Sequence, residues 1–282
     1  MTTLRVAGVP EPYNLPWHLA MEKGRFREAD IDLQWHTVPE GSGRMCQMLR
    51  DGELDMAVLV TEAAVRDILN GGSHRIVSSF VGSALPWGVH VPARSALMNP
   101  ADLRGVPFAI SRMGSGSHIM AMVYAGRQGW QPRTEDLEVV HNMAGAAERM
   151  QAGPPVVFLW ETYVTAQWVD AGIMRRVDEL RAPWPGFVIV AGDACIRDRS
   201  AVIDNALDVV RRAVAAIVAD PRTVGLVMGN AGFSEARARE WLTHVHWTVG
   251  RPDPRRLAPL ADTLGQLRLV PRQASWEGVL AD

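Results

Sequence analysis

Residues 109–130, AISRMGSGSHIMAMVYAGRQGW, decide how the chain is read. The apolar run 107–110 predicts a short buried strand, Gly114-Ser115-Gly116-Ser117 a turn, and 118–128 a helix. Met120, Met122, Val123 and Tyr124 make that helix largely apolar, and Gly129 supplies a C-cap. A strand that turns through Gly and Ser into a helix start aims backbone N–H groups, hydroxyls and the positive end of the helix dipole at one spot. An anionic or carbonyl oxygen fits there. The same residue types also cap helices, and Ser115 or Ser117 in that role needs no ligand. A second copy of the pattern at 39–49, where Gly41-Ser42-Gly43 opens a helix over 44–50, favours a site.

Outward from these turns, strand and helix alternate. Strands are expected at 4–9, 31–38, 56–60 and 74–81, with helices at 15–23, 44–50 and 63–69. Residues 83–94 carry the chain, extended, to a second unit that repeats the pattern. Its strands are expected at 106–110, 137–140 and 156–160, and its helices at 118–128, 144–152 and 162–171. The apolar run 187–191 returns as a strand, and the chain is then mostly helical over 200–219, 221–228, 234–245 and 254–267. Residues 273–282 are expected as a short closing helix or loop. The alternation argues for an α/β protein, a parallel sheet with helices on both faces. Extended crossovers near 83–94 and 183–190 imply two α/β lobes with a ligand cleft between them.

Bulk composition narrows the function classes. With 48% hydrophobic and 21% charged residues and a formal net charge of −2, the chain is a folded globular one. That balance points to no nucleic-acid partner. The two cysteines, Cys46 and Cys195, and the eight scattered histidines show no metal-type spacing. No metal or cofactor is therefore expected. The N-terminal residues run straight into the first strand with no secretory pattern, so a cytoplasmic location is expected; a chain with its leader removed would read the same way.

In open sheets of this kind ligands sit beyond the carboxyl ends of the strands. That rule collects the candidate ligand-binding residues: Glu11, Tyr13, Ser42, Gly43, Thr61, Glu62, Trp87, Met113, Ser115, Gly116, Ser117, Asn142, Trp160, Glu161 and Trp184. No catalytic set stands out; there is no Ser-His-Asp order, phosphate-loop spacing or complete dinucleotide fingerprint. Ten tryptophans suit an aromatic-lined pocket for a flat ligand, although some belong to the core. Glu161 follows an apolar strand directly and either caps the next helix or accepts from a ligand N–H. Thr61-Glu62 has the same ambiguity. His118 is the histidine nearest the organising turn.

The segments LRVAGVPEPY, GRFREADIDLQW, EGSGRM and DGELDMAVLVTEA, in that order, resemble the type II solute-binding proteins, in particular the nitrate, sulfonate and thiamin-pyrimidine branch. DLRGVPFAISRMGSGSHIM, FLWET and APWPGFVIV are similar to signal-less proteins related to the yeast-type thiamin pyrimidine synthases. The resemblance spans roughly the whole chain. It implies a two-lobe type II fold with mixed, mostly parallel sheets and two hinge crossovers, one discontinuous lobe of residues 1–86 and 190–282 and a second of 87–189. The lobes close over a small molecule, with Trp87, Trp160 and Trp184 stacking on a heterocycle and Glu62 and Glu161 accepting from ring amino groups. A membrane permease is the partner it implies for an uptake system. The synthases' clustered cysteines are absent, and His36 sits in no matching motif. An enzyme on the same fold, of the chorismate-dehydratase or pyrimidine-synthase type, is the alternative.

Overall fold

Strand β3 (Met56–Val60, MAVLV) is the centre from which the first unit is built: its first four residues are fully buried, as a strand covered on both faces requires. In the computed structural model, which describes residues 1–271 and 278–281, the chain divides into two units. The first comprises Met1–Ser83 and Trp184–Ala261 with described residues after Val270. The second comprises Ala84–Pro183 and Asp262–Leu269.

In the first unit, β1 (Thr2–Gly8) pairs in parallel with β2 (Ile31–Thr37) and with β3. β4 (His74–Val81) alternates buried and half-buried residues along most of its length, the period of a pleated strand. The return strand β10 (Phe187–Gly192), buried throughout, lies antiparallel between β3 and β4. A short strand, β11 (Trp247–Gly250), completes the order β11-β4-β10-β3-β1-β2. The helices are α1 (Leu15–Glu22), α2 (Arg25–Glu28), α3 (Ser42–Arg50), α4 (Thr61–Leu69), α8 (Asp193–Ala219), α9 (Thr223–Ala231) and α10 (Glu235–His244). α8 begins before the expected residue 200 and kinks at Arg199, whose backbone leaves helical geometry. At the kink, Arg199 joins Arg5 in gripping the carboxylate of buried Asp55. Burial alone would raise the Asp55 pKa, but these two guanidinium groups hold it below its ordinary value.

The second unit has the order β7-β6-β8-β5-β9. Its parallel strands are β6 (Phe108–Ile110), β7 (Leu137–Val139) and β8 (Val157–Glu161); its helices are α5 (Gly116–Arg127), α6 (Met143–Gln151) and α7 (Thr162–Asp170). The stretch 83–94, expected only as an extended crossover, contains β5 (Pro86–Pro92), a fully buried strand antiparallel to both β8 and β9 (Met174–Arg181). β9 escapes a reading of apolar runs because it is MRRVDELR, a charged strand at the edge of its sheet. Both sheets are thus mixed: parallel strands joined by helices, plus antiparallel returns through β10 and β5.

α11 (Pro254–Gln266) follows β11 in sequence. Most of the tail expected as a closing helix or loop lies outside the described residues; within them, Leu280 bridges Ile76 of β4. No helix among the described residues is long and apolar enough to cross a membrane.

Candidate ligand-binding site

In the first unit the expected residues gather where β3 meets α4. The strand's apolar residues fix its end in the sheet, and Thr61 and Glu62 then open the helix. The Ser42 hydroxyl, at the start of α3, accepts from the Val60 N–H at 3.1 Å and ties the glycine-serine turn to this junction. No side chain caps α3, which starts at Ser42 rather than at residue 44. Gly43 is its second residue. Arg44, a neighbour of that turn, pairs with Glu53 on the surface at 3.1 Å.

Glu62 is the unusual group. Its carboxyl is 1% exposed, one oxygen accepts from the Trp184 indole N–H at 2.9 Å, and Oε1 has no partner. Burial pushes its pKa up to about 7 against the modest pull of the hydrogen bonds it accepts. Beside it the buried Thr61 hydroxyl is also without a partner. Buried polar atoms are nearly always hydrogen-bonded, and an orphan costs about 1–3 kcal/mol. Two adjacent orphans at a strand–helix junction are therefore groups that a bound molecule can complete.

Trp184 was expected as a wall of the pocket; it is buried and holds Glu62 through its N–H. Tyr13 is likewise buried, its ring 5.0 Å from that of Phe187 and 5.2 Å from that of Trp241. Glu11, two residues before it, is half-buried by surface area yet crowded enough that desolvation pushes its carboxyl up to about 7. Asn14 was not anticipated: it is fully buried, donates to the Val9 carbonyl at 2.8 Å and leaves Oδ1 unpartnered. A polar residue directly after the Pro-Tyr pair is the only trace it leaves in the sequence.

In the second unit, β5 and β8 place Trp87 opposite Glu161 and Gly88 opposite Trp160. Trp87 is buried with its indole N–H unpartnered. Glu161 caps α7, accepting from the Val164 N–H at 2.8 Å. Trp160 stacks on Phe158, with centroids 5.4 Å apart, and packs against the core around Ala109 and Val140. The turn that opened the reading is closed on itself. Ser115 caps α5 through the His118 N–H at 3.2 Å, and the Ser117 hydroxyl accepts from the Ser111 N–H at 2.9 Å. His118 Nδ1 in turn accepts from the Gly114 N–H at 2.8 Å. Gly116 is the first residue of α5, Met113 is exposed, and Asn142 caps α6 through the Gly145 N–H. Ser111, missed in the sequence, belongs to this network.

One groove of the first unit, about 550 Å³, lies between α1, α2 and α8 and is lined by Leu19, Ala213 and Ala216 with Lys23 and Arg212 at its rim. It contains none of the expected residues and does not lie at the strand ends.

Comparison with known proteins agrees with this architecture. A family model described as Ca3427-like PBP matches residues 87–180, the heart of the second unit. The Candida albicans CA3427 gene product, said to define a family with the generic periplasmic binding protein fold, superposes with a TM-score of 0.88 at 25% identity, over 99% of this chain and 94% of that one. The chain has the type II periplasmic-binding-protein fold. The alkanesulfonate-binding protein of Xanthomonas axonopodis pv. citri, bound to MOPS, gives a TM-score of 0.83 at 16% identity, over 100% of this chain and 98% of that one. The aliphatic sulphonate-binding protein of Escherichia coli gives 0.74 at 17%, over 100% and 94%. No protein with a curated description matches in sequence. A periplasmic-binding-protein fold supports a ligand-binding protein.

Proposed function

We propose that the chain binds a small, flat, nitrogen-containing organic molecule, of the kind represented by the aminopyrimidine moiety of thiamin, at the junction of β3 and α4 in the first unit. The observation that carries this reading is Glu62: a buried carboxyl with one oxygen fixed by an indole N–H and the other unpartnered. Such a group accepts from an amino or ring N–H and repels an anion once ionised, so it suits a donor-bearing heterocycle better than a sulfonate. A structural neighbour from Methylobacillus flagellatus, described as a sulfonate ABC transporter's periplasmic sulfonate-binding protein, supports a membrane permease as the partner.

The test is calorimetric titration of the protein with the thiamin aminopyrimidine and, separately, with MOPS. The expected result is saturable binding of the pyrimidine, weakened at least tenfold by Glu62→Gln. Binding of MOPS alone, or pyrimidine affinity unmoved by Glu62→Gln, overturns the assignment. Native mass spectrometry of the purified protein identifies any ligand carried through purification.

A further inference from the structure

Away from these positions, the first unit holds a fully buried imidazole with neither ring nitrogen hydrogen-bonded. His74, the first residue of β4, is 0% exposed. Two other potential ligands face it from different elements: Cys46 in α3, itself buried, and Asp67 near the end of α4. The thiol sulfur, an imidazole nitrogen and a carboxylate oxygen all lie within 4.8 Å of one another. The carboxylate is 3.9 Å from His74 Nε2, too far for a hydrogen bond and close enough to share a ligand. The space is kept open by Gly72. A Cβ there would stand 2.5 Å from Asp67 Oδ2 and 3.0 Å from His74 Cε1.

We propose that Cys46, Asp67 and His74 form a binding site for a zinc-type divalent cation. Sulfur, nitrogen and oxygen in one small cluster is a donor set that Zn²⁺ accepts, whereas Mg²⁺ and Ca²⁺ take oxygen ligands. A tetrahedral ion with bonds of about 2.0–2.3 Å sets its ligand atoms roughly 3.5 Å apart, so the three groups need only a small contraction and leave a fourth position open. Arg50 Nη1 donates to both Asp67 oxygens at 2.5 Å, the outer-shell support that metal ligands commonly receive. On binding, the Cys46 thiol gives its proton to solvent and its sulfur bonds to the metal. The ion would then fasten α3, α4 and β4 together. α3 and α4 begin at Ser42 and Thr61, so the clip stiffens the helices that carry the first unit's candidate residues.

The experiment uses the untagged full chain, chelator-stripped and kept reduced. Zn²⁺ is titrated against a chromophoric chelator, and Co²⁺ is added to a parallel sample. One equivalent of Zn²⁺ is expected, with a rise in Tm. The Co²⁺ protein is expected to show a thiolate-to-cobalt charge-transfer band that Cys46→Ser abolishes and Cys195→Ser retains. His74→Ala and Asp67→Asn are each expected to weaken Zn²⁺ at least tenfold. Binding below one equivalent, a Co²⁺ spectrum without the thiolate band, or unchanged affinity in folded Cys46→Ser overturns the proposal. Because Cys46 and His74 are buried, circular dichroism accompanies each variant. Should both misfold, the Co²⁺ spectrum of the parent protein decides. None of these readouts involves the organic ligand.

Discussion

The two units present nearly the same phrase at equivalent junctions, LVTEA at the end of β3 and LWETY at the end of β8, and they use its carboxylate differently. In the second unit Glu161 precedes its helix and caps it, accepting from Val164 N–H. In the first, Thr61 precedes the glutamate, so Glu62 falls inside the helix, and α4 has no side-chain cap. Displaced by one position, this carboxyl turns to Trp184 and keeps an unpartnered oxygen. A shift of one residue separates a carboxylate engaged in holding the backbone from one available to a ligand.

The sharpest way to break this contrast is pH. The Glu62 pKa is raised from 4.5 to about 7, chiefly by burial. Below pH 4.5 folded and unfolded chains both hold the proton, and the group costs nothing through titration. As pH rises the unfolded state loses the proton first, so stability falls until about pH 7 and the loss is complete above it. Glu62→Gln removes this titration. The variant's stability relative to the parent is expected to be about 3 kcal/mol more favourable at pH 8 than at pH 4. Urea unfolding across that range checks it; parallel curves would show that Glu62 is not desolvated.

A smaller effect follows from the indole. Trp184→Phe keeps most of the buried ring but removes the donor to Glu62, leaving both carboxyl oxygens without that support. A loss of about 2 kcal/mol is expected at neutral pH. Because the Trp184 hydrogen bond holds the Glu62 pKa down, the stability loss that accompanies ionisation should still begin near pH 4.5 but extend to higher pH and grow larger. A variant as stable as the parent, with an unmoved pH profile, would remove the indole from the account.

Much of the fold was legible in the sequence because parallel strands joined by helices leave continuous apolar runs. Residues 56–60 and 74–81 are found as expected. What stayed hidden were strands whose pattern is set by their place in a sheet: β5 with its proline and glycine, charged β9 at an edge, and short β11. For the candidate residues, the hydrogen bonds that engage them were not legible. Glu62 and Trp184 were both expected to meet a ligand, yet the bond between them spans 122 residues and no local pattern announces it. The seryl turn at 114–117 shows the converse. Its residue types suit an oxyanion site, and its hydroxyls instead bond to one another and to local backbone. Cys46, Asp67 and His74 are similarly unreadable before α3, α4 and β4 are packed.

The smallest effect belongs to Glu161, and it separates the two junctions most cleanly. Glu161→Ala removes the acceptor of the Val164 N–H and should cost about 1 kcal/mol, the loss of one helix cap. Glu161→Gln retains an amide oxygen at the cap and is expected to cost only a fraction of that. The pair measured by urea unfolding at pH 7 therefore gives Ala worse than Gln. At position 62 the ionised carboxyl is itself the burden, so Gln is the variant that gains as pH rises. If Glu161→Gln gains with pH as Glu62→Gln does, the one-residue displacement is not what sets their roles, and both glutamates are ligand groups of the same kind.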